Sequence, residues 1–278
     1  MDKQDRVAEA MSIHAGEFQP EFVLSQGDNY PDGITSVDDP RIDIIWREMY
    51  NRTNIRGLEW WISLGNHDYG EGLGEEWVQV ELSTVDRLWK LPHLWYDYIV
   101  SDGNASVHFI IIDTQALGKR LNNYTDMMRW LDETLNSTTS DWVIVNGHHT
   151  IYSCAETGPI SSTYYNELLP ILDRYYGILD IYLAGHDHDV QLLQKIDDPV
   201  YFDFVVSGAG GAAWDYEIPT YADILRDEYG INKTFFNVAG SFVAMEATKE
   251  YLEMTFVNSN VTNMYTYTRY NTKAHRLQ

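Results

Sequence analysis

Cysteine is almost absent from the sequence. Cys154 is the only one in 278 residues, so no disulfide can form within the chain. A single cysteine mildly favours a reducing compartment, in which thiols stay free. Long apolar runs are also absent, and a membrane-spanning helix requires about 20 consecutive apolar residues. The sequence therefore predicts no membrane span, while an apolar content of 44% is ample for a hydrophobic core.

Basic residues are scarce as well. The chain has 19 lysines and arginines against 42 aspartates and glutamates, which gives a formal net charge of −23. This charge repels nucleic acid and anionic membranes, so we expect neither as a partner. It also repels phosphate groups. Any chemistry on a phosphate therefore requires local cations, and bound metal ions supply them.

The glycosylation pattern Asn-x-Ser/Thr is more frequent than composition predicts. Roughly two sequons are expected by chance, whereas six begin at Asn51, Asn104, Asn123, Asn136, Asn232 and Asn260. The excess favours a glycoprotein on a secretory route, with a lysosomal, vacuolar or extracellular destination. A merely asparagine- and threonine-rich surface is the alternative. Residues 1–6 are almost wholly polar and no apolar run follows them, so no signal peptide is predicted.

Four short apolar runs are each followed by glycine and then by side chains that bind metals. The four endings are Gly27-Asp28-Asn29, Gly65-Asn66-His67-Asp68, Gly147-His148-His149 and Gly185-His186-Asp187-His188. Apolar runs of this length predict strands, and open α/β sheets bind ligands at the carboxyl ends of their strands. The four endings therefore predict one crevice that holds metal ions. Solvated turns are the alternative, but four independent coincidences are improbable.

The spacing of His186 and His188 suits two metal ions. In an extended backbone, residues i and i+2 point the same way about 6.6 Å apart. Two imidazoles at that separation can each hold one of two metals that lie about 3.5–4 Å apart. Two surface histidines on a polar turn are the alternative for this motif taken alone.

The rest of the pattern predicts one α/β domain over residues 1–278, with two sheets and helices outside. Helices are expected over 3–15, 40–51, 127–135 and 164–176, and strands over 21–25, 59–64, 107–113, 142–146, 179–184 and 202–206. Residues 69–100 are expected to be irregular. Their aromatic side chains form either a wall near the crevice or a satellite core, and we favour the satellite core. Apolar and polar residues alternate within 241–247, 251–257 and 264–269, which predicts three antiparallel strands in this last part of the sequence.

The four glycine-led endings, taken in their order along the chain, resemble the metal-binding motifs of the calcineurin-like metallophosphoesterases. More narrowly, they resemble those of the tartrate-resistant purple acid phosphatases, and the resemblance runs over nearly the whole chain. It implies a two-sheet metallophosphoesterase sandwich with flanking helices. It also implies an acid phosphatase that hydrolyses phosphate monoesters, on small molecules or phosphoproteins, by metal-activated hydroxide.

The resemblance also implies a ligand set for two divalent or trivalent metal ions, which can be Fe, Zn or Mn. Asp28 bridges both metals, and the second metal takes Asn66, His148 and His186. The first metal takes His188, a tyrosinate and an earlier aspartate. From the chemistry of the reaction, His67 is the candidate catalytic residue just outside the metals, where it stabilises the transition state or protonates the leaving alcohol. A histidine that orients its neighbours through Asp68 is the alternative. Asp68 and Asp187 are expected to orient neighbouring ligands. His149 either faces the substrate or is a satisfied neighbour, and we expect the second.

The chain departs from the family pattern in three places. No Gly-Asp-x-Gly block occurs in the sequence, so we expect the first strand and one metal ligand to be missing, and one metal site to be weakened. Tyr30 is the candidate tyrosinate ligand, but it stands one residue before the family tyrosine, whose place Pro31 takes. A slip of one residue turns the phenol away, and a local bulge that restores it is the alternative. Thr157 replaces a second histidine. A catalytically impaired remnant that binds a ligand or partner is the alternative function. An incomplete gene product is a further alternative.

Overall fold

Helices and strands alternate along the chain in the structure, a computed structural model that describes residues 3–71, 74–155, 157–211 and 218–273. The α-helices are α1 (Lys3–Phe18), α2 (Glu75–Val85), α3 (Thr114–Lys119), α4 (Tyr124–Ser137), α5 (Leu169–Asp173) and α6 (Ala222–Tyr229). The strands are β1 (Phe22–Leu24), β2 (Glu59–Trp61), β3 (Trp89–Lys90), β4 (Tyr96–Ser101), β5 (Ser106–Ile111), β6 (Trp142–Asn146), β7 (Ile181–Ala184), β8 (Val190–Lys195), β9 (Asp203–Ser207), β10 (Ile231–Asn237), β11 (Ser241–Ala247), β12 (Tyr251–Asn258) and β13 (Asn263–Tyr270).

Seven strands form one mixed sheet in the order β10-β8-β9-β7-β6-β5-β4. Its central strands β5, β6, β7 and β9 are parallel to one another, whereas β4, β8 and β10 pair antiparallel. A parallel sheet β1-β2-β3 and an antiparallel sheet β11-β12-β13 complete the strands. Every residue of β6 and β7 is buried, because a parallel sheet is covered on both faces.

The alternating side chains of β6 show how the layers pack. Ile144 belongs to the core between the sheets, with Leu183 of β7 and Met254 of β12. Val143 and Val145 point to the opposite face, where α4 and α5 cover the sheet. The predicted α/β sandwich of two sheets with flanking helices is therefore confirmed. No helix in the described part of the chain is both long enough and apolar enough to cross a membrane.

The prediction for residues 69–100 was wrong in two respects. This region contains α2, β3 and β4. The buried residues of α2 are Glu76, Gln79 and Leu82, so no apolar periodicity marked this helix in the sequence. Trp89 and Tyr96 lie in the main core rather than in a satellite. Trp77, in contrast, is 41% exposed.

Two predicted helices are shorter and less regular than expected. Residues 40–51 form only a π-helical turn at Ile42–Arg47, and residues 164–176 divide into a π-helical turn at Tyr164–Leu168 followed by α5. Pro170 in the first turn of α5 has no N–H to donate, so a continuous α-helix cannot run through it. The sequence patterns also missed α3, α6, β8 and β10.

Candidate metal centre

The predicted ligands come from loops that follow parallel strands. Asp28 follows β1, Asn66 follows β2, His148 follows β6 and His186 follows β7. Strands β1 and β2 are parallel, as are β6 and β7. Loops that leave the carboxyl ends of parallel strands emerge at the same edge of a sheet. The loops of each pair therefore emerge together at one edge of their own sheet, and contacts between their side chains join the two edges.

The imidazole of His148 lies at the centre of this group. Its Nε2 is 3.2 Å from Asn66 Oδ1, 3.1 Å from His186 Nδ1 and 3.2 Å from Asp28 Oδ2. Its Nδ1 lies 2.7 Å from the carbonyl oxygen of Gln26. A carbonyl oxygen can only accept, so Nδ1 carries the proton. In the neutral ring, the lone pair on Nε2 faces the other three side chains.

This arrangement fits a bound metal ion. A single nitrogen cannot make good hydrogen bonds to three neighbours at once, and His186 Nδ1 and Asn66 Oδ1 are lone-pair donors toward the same point. Nitrogen and oxygen donors of this kind suit Zn, Fe or Mn. The chemistry of the group therefore matches the metal site predicted for Asp28, Asn66, His148 and His186.

His188 follows His186 by two residues in the loop after β7. Burial lowers the pKa of His186, and the charges of His148 and His188 lower it further. A neutral imidazole is the form that binds a metal ion. The surroundings thus hold His186 ready to act as a ligand.

Opposite charges dominate the pair Asp28 and His148. Burial opposes ionisation of Asp28, but the hydrogen bond and the charge of His148 outweigh it and lower the pKa of Asp28 to about 2. Burial likewise opposes protonation of His148, and the carboxylate of Asp28 reverses the balance and raises the pKa of His148. Asp28 is consequently ionised and able to bind cations.

Close backbone packing brings the loops together. A β-carbon on Gly27 would lie 2.6 Å from Nδ1 of His148, and one on Gly65 would overlap the carboxylate of Asp28. Asp28 and His186 have positive φ angles of 54° and 67°. Aspartate and histidine tolerate this region better than most residues, and such backbone is typical of functional sites.

His67 and Asp68 have different surroundings. His67 is exposed, its backbone N–H donates to Asp28 Oδ1 at 2.8 Å, and its Nδ1 lies 2.8 Å from the carbonyl oxygen of Pro31. Asp68 is buried and accepts from the backbone N–H groups of Gly65 and Tyr30 and from Gln79. Asp68 therefore holds the two ligand-bearing loops together.

Asp187 is buried and is bonded to side chains of the segment that follows His149. Its carboxylate accepts hydrogen bonds from Ser153 and Thr157, and Thr157 also contacts Thr150 at 2.9 Å. Asp187 thus fixes the loop that follows His149. Thr157, which replaces the family histidine, is part of this fixed loop.

Tyr30 is not placed as a metal ligand. Its ring is fully buried in the core beside Trp89, and its hydroxyl has no hydrogen-bond partner among the described residues. Burial, followed by the charge of Asp68, raises its pKa far above the usual value. Successive side chains on an extended segment alternate between faces, so the shift of one residue turns the phenol into the core. Of the two alternatives for Tyr30, the structure shows the one in which the phenol turns away from the predicted ligands.

His149 belongs to the site more closely than its sequence context indicated. Ring nitrogens of His148, His149 and His186 lie within 4.8 Å of one another. The hydroxyl of Thr114 accepts backbone N–H groups from His148 and His149 at 3.1 and 3.0 Å, which uses both of its lone pairs. Its proton is therefore donated to His149 Nδ1, 2.8 Å away.

This contact makes His149 a hydrogen-bond donor. Burial, and then the charges of His148 and His186, lower the pKa of His149 well below its usual value, so the ring stays neutral. With Nδ1 accepting from Thr114, Nε2 carries the remaining proton. The ring is only partly buried. His149 can thus offer an N–H to a ligand beside the metal-binding group.

Asp113 is fully buried and directly precedes Thr114, which contacts His149. Its carboxylate caps α3 by accepting from the Ala116 N–H at 2.9 Å, and it accepts from the Tyr69 hydroxyl. Burial is the largest influence on its pKa and raises it to about 7. The folded protein therefore keeps a proton on Asp113 that an unfolded aspartate, with a pKa of about 3.9, releases.

Replacing Asp113 by asparagine is expected to change how stability depends on pH. Because the folded-state pKa of Asp113 is about 7, the protonated side chain contributes its full stabilisation below about pH 4. This stabilisation is lost as the pH rises through 7. The stability of the parent relative to Asp113→Asn should therefore fall between pH 4 and 8, by up to about 4 kcal/mol. Urea unfolding of both proteins across this range measures the difference. A constant difference would contradict the assignment.

Comparison with known proteins agrees with this geometry. Residues 2–190 match the family model described as calcineurin-like phosphoesterase. Together, the strand-end site and this match define a metal-dependent phosphoesterase. The chain belongs to the calcineurin-like phosphoesterase family, in which its similarity is to the purple acid phosphatases.

One relative is tartrate-resistant acid phosphatase type 5 of Oryctolagus cuniculus, 29% identical over 259 residues that cover 86% of this chain and 76% of the relative. Among solved structures, purple acid phosphatase PPD1 from yellow lupin (Lupinus luteus) seeds has a TM-score of 0.70 at 15% identity, covering 96% and 49% of the two chains. Plasmodium GAP50, described as the anchor in the inner membrane complex, has a TM-score of 0.80 at 21% identity, covering 98% and 85%. The two solved structures support the fold.

Proposed function

We propose that this protein is an acid phosphatase that hydrolyses phosphate monoesters, either small molecules or phosphoproteins, with metal ions held by Asp28, Asn66, His148, His186 and His188. The observation that carries the proposal is the approach of Asp28, Asn66 and His186 to within 3.2 Å of His148 Nε2. Metal ions bound there supply the positive charge that phosphate requires and make a water molecule more acidic.

The protein side chains have separate tasks in this proposal. Hydrogen bonding of His148 Nδ1 to the Gln26 carbonyl keeps the other nitrogen directed at the site. The N–H of His149 is a donor for a phosphate oxygen. His67 binds Pro31 through Nδ1, which leaves Nε2 as the atom that protonates the leaving alcohol.

The metal-dependent reaction can be tested with the purified protein. Hydrolysis of p-nitrophenyl phosphate is measured from pH 4 to 8 after loading with Fe, Zn or Mn. We expect activity that chelation removes and metal restores, and we expect His148→Ala to lose both activity and metal. His93→Ala is a matched control, because His93 packs against Trp77 and Trp95 outside the site. An active His148→Ala protein would contradict the proposal.

A binding protein without catalytic activity is the second candidate function. The burial of Tyr30 in the core favours it, because the first metal then lacks the tyrosinate that the family resemblance implies. The similarity of fold to Plasmodium GAP50, described as an anchor, is consistent with it. Tight binding of metal together with no turnover on any phosphate monoester would support this candidate.

We also propose a secretory route with glycosylation. All six sequon asparagines are exposed, at Asn51, Asn104, Asn123, Asn136, Asn232 and Asn260. A glycan requires an exposed acceptor. Expression through a secretory pathway, followed by glycosidase treatment, should reduce the apparent mass of the protein. An unchanged mass would contradict glycosylation and show that the sequon asparagines are ordinary surface residues.

A further inference from the structure

A pocket of about 500 Å³ lies outside the metal centre and is lined by residues of α5, α6 and the end of β8. Five of the lining residues are tyrosines, namely Tyr152, Tyr165, Tyr176, Tyr201 and Tyr229. None of the predicted metal ligands lines this pocket. Aromatic rings therefore form most of its apolar lining.

The tyrosine rings stand in two groups. Tyr152, Tyr165 and Tyr229 contact one another, with ring centroids 5.6 to 5.9 Å apart. The centroids of Tyr176 and Tyr201 are 6.1 Å apart. The faces of aromatic rings carry a negative electrostatic potential, which attracts cations. The pocket is thus lined by groups that favour a positively charged ligand with apolar parts.

Three carboxylates accompany the rings. Asp173 at the end of α5, Asp198 between β8 and β9 and Glu228 in α6 line the pocket. The Tyr201 hydroxyl donates to Asp173, and the Tyr176 hydroxyl donates to Asp198 Oδ1 at 3.0 Å. A hydrogen bond to a carboxylate polarises the phenol, so its ring attracts a cation more strongly. Burial raises the pKa of Tyr201, and the hydrogen bond and charge of Asp173 raise it further, as a negative potential inside the pocket requires.

Lys195 shows how the pocket holds an alkylammonium group. Its Nζ lies 5.8 Å from the centroid of the Tyr201 ring, which is within cation–π distance. The same Nζ donates to the backbone carbonyl oxygen of Tyr229 at 3.1 Å. Lys195 is the only basic residue that lines the pocket in the described part of the chain. Negative charge therefore remains in excess there.

The carboxylates are too widely spaced to hold one metal ion together. Among the described residues, the group whose ligand atoms all lie within 4.8 Å of one another is the histidine cluster of the metal centre. Asp173, Asp198 and Glu228 do not form such a group. The Tyr176 and Tyr201 rings lie between two of these carboxylates, because each ring is bonded to one of them. Negative charges separated by aromatic surface match a ligand whose positive charges are separated by an apolar stem.

We propose that this pocket binds a linear aliphatic polyamine, a chain of methylene groups that carries two or more ammonium groups. The ammonium groups pair with the carboxylates of Asp173 and Asp198. The methylene groups pack on the Tyr176 and Tyr201 rings, as the stems of lysine side chains pack on apolar surface. An ammonium group has donors only, which matches a lining rich in carboxylate oxygens. The proposal does not depend on the phosphatase reaction.

Isothermal titration calorimetry of the full chain with spermidine tests the proposal. We expect a single site with a dissociation constant in the micromolar range that rises with salt concentration. A chain with a net charge of −23 also attracts polyamines without a specific site, so the controls hold the charge constant. The variant Asp173→Asn/Asp198→Asn should weaken binding at least about 10-fold. The matched control Glu246→Gln/Glu250→Gln removes the same charge at exposed positions outside the pocket and should leave binding unchanged.

Two single positions test the rings and the resident amine. Tyr176 is 43% exposed, so Tyr176→Leu should fold normally, which circular dichroism and thermal melting check. It should weaken binding about three-fold, whereas Tyr176→Phe keeps the ring face and should bind nearly as well as the parent. Lys195→Met keeps an apolar stem but removes the competing ammonium group, so it should strengthen binding about three-fold or more.

Several results would overturn the proposal. Weaker spermidine binding by Lys195→Met would show that the pocket uses its amine to hold an anion. Equal weakening in the two double variants, or displacement of spermidine by Mg²⁺ at equal concentration, would show that the polyamine responds to net charge only. Choline binding as tight as spermidine would show a site for one ammonium group. A parent protein that does not bind spermidine would refute the proposal directly.

Discussion

Exhaustively dialysed protein is expected to retain one metal ion per chain tightly and a second one weakly or not at all. Asp28, Asn66 and His186 surround His148, so one site has a full set of protein ligands. The other site retains Asp28 and His188, and Tyr30 is directed into the core. Two metals at close range repel each other, and a site with few carboxylates offsets little of that repulsion. Elemental analysis measures the metal content.

A strand ending in Gly-Asp-x-Gly, added in front of the chain, is expected to raise the metal content to two per chain and to increase the phosphatase rate. The added aspartate contributes a carboxylate to the weaker site, and metal affinity depends on the number and support of the ligands. The matched control is the same extension ending in Gly-Asn-x-Gly, which keeps the strand but removes the negative charge.

Several outcomes would contradict this expectation. Two tightly bound metals in the unextended protein would show that its own ligands are sufficient. Equal rescue by the asparagine extension would show that the strand, and not the carboxylate, was needed. A rise in metal content without a rise in rate would support the binding-protein candidate.

The substitution His67→Ala is expected to lower kcat by about 100-fold or more while metal content is unchanged, as for loss of a general acid. The His67 side chain is exposed and forms a hydrogen bond with the Pro31 carbonyl. Only its backbone contacts the predicted bridging ligand Asp28, so removing the ring should leave the metal ligands in place. Steady-state kinetics on the metal-loaded protein, with elemental analysis of the same sample, measures both quantities.

A structural role for His67 gives a different result. His67→Gln retains an N–H that can donate to the Pro31 carbonyl but cannot transfer a proton. If the ring only holds the loop at Pro31, glutamine should preserve activity. If the ring is the acid, glutamine should be nearly as impaired as alanine, with substrates that have a good leaving group affected least. Loss of metal in either variant would show that the role was wrongly assigned.

The sequence was enough to predict which side chains meet at the site, because the pattern that marks each of them is local. Each of the loops bearing Asp28, Asn66, His148 and His186 follows a short apolar run and a glycine. The apolar run specifies a strand, and the glycine allows the close backbone approach seen at Gly27 and Gly65. Since parallel strands end at one edge of their sheet, the pattern predicted loops that gather at strand ends, and the packing of two sheets brings the two edges together.

Only the tertiary structure decided the roles of Tyr30 and His149. One position along an extended backbone separates the two faces of a strand, so sequence alone could not tell whether the Tyr30 phenol enters the site or the core. The proton position on His149 depends on Thr114, which is distant in sequence and contributes one hydroxyl to three hydrogen bonds. Such features arise from contacts between distant segments, which local patterns do not encode.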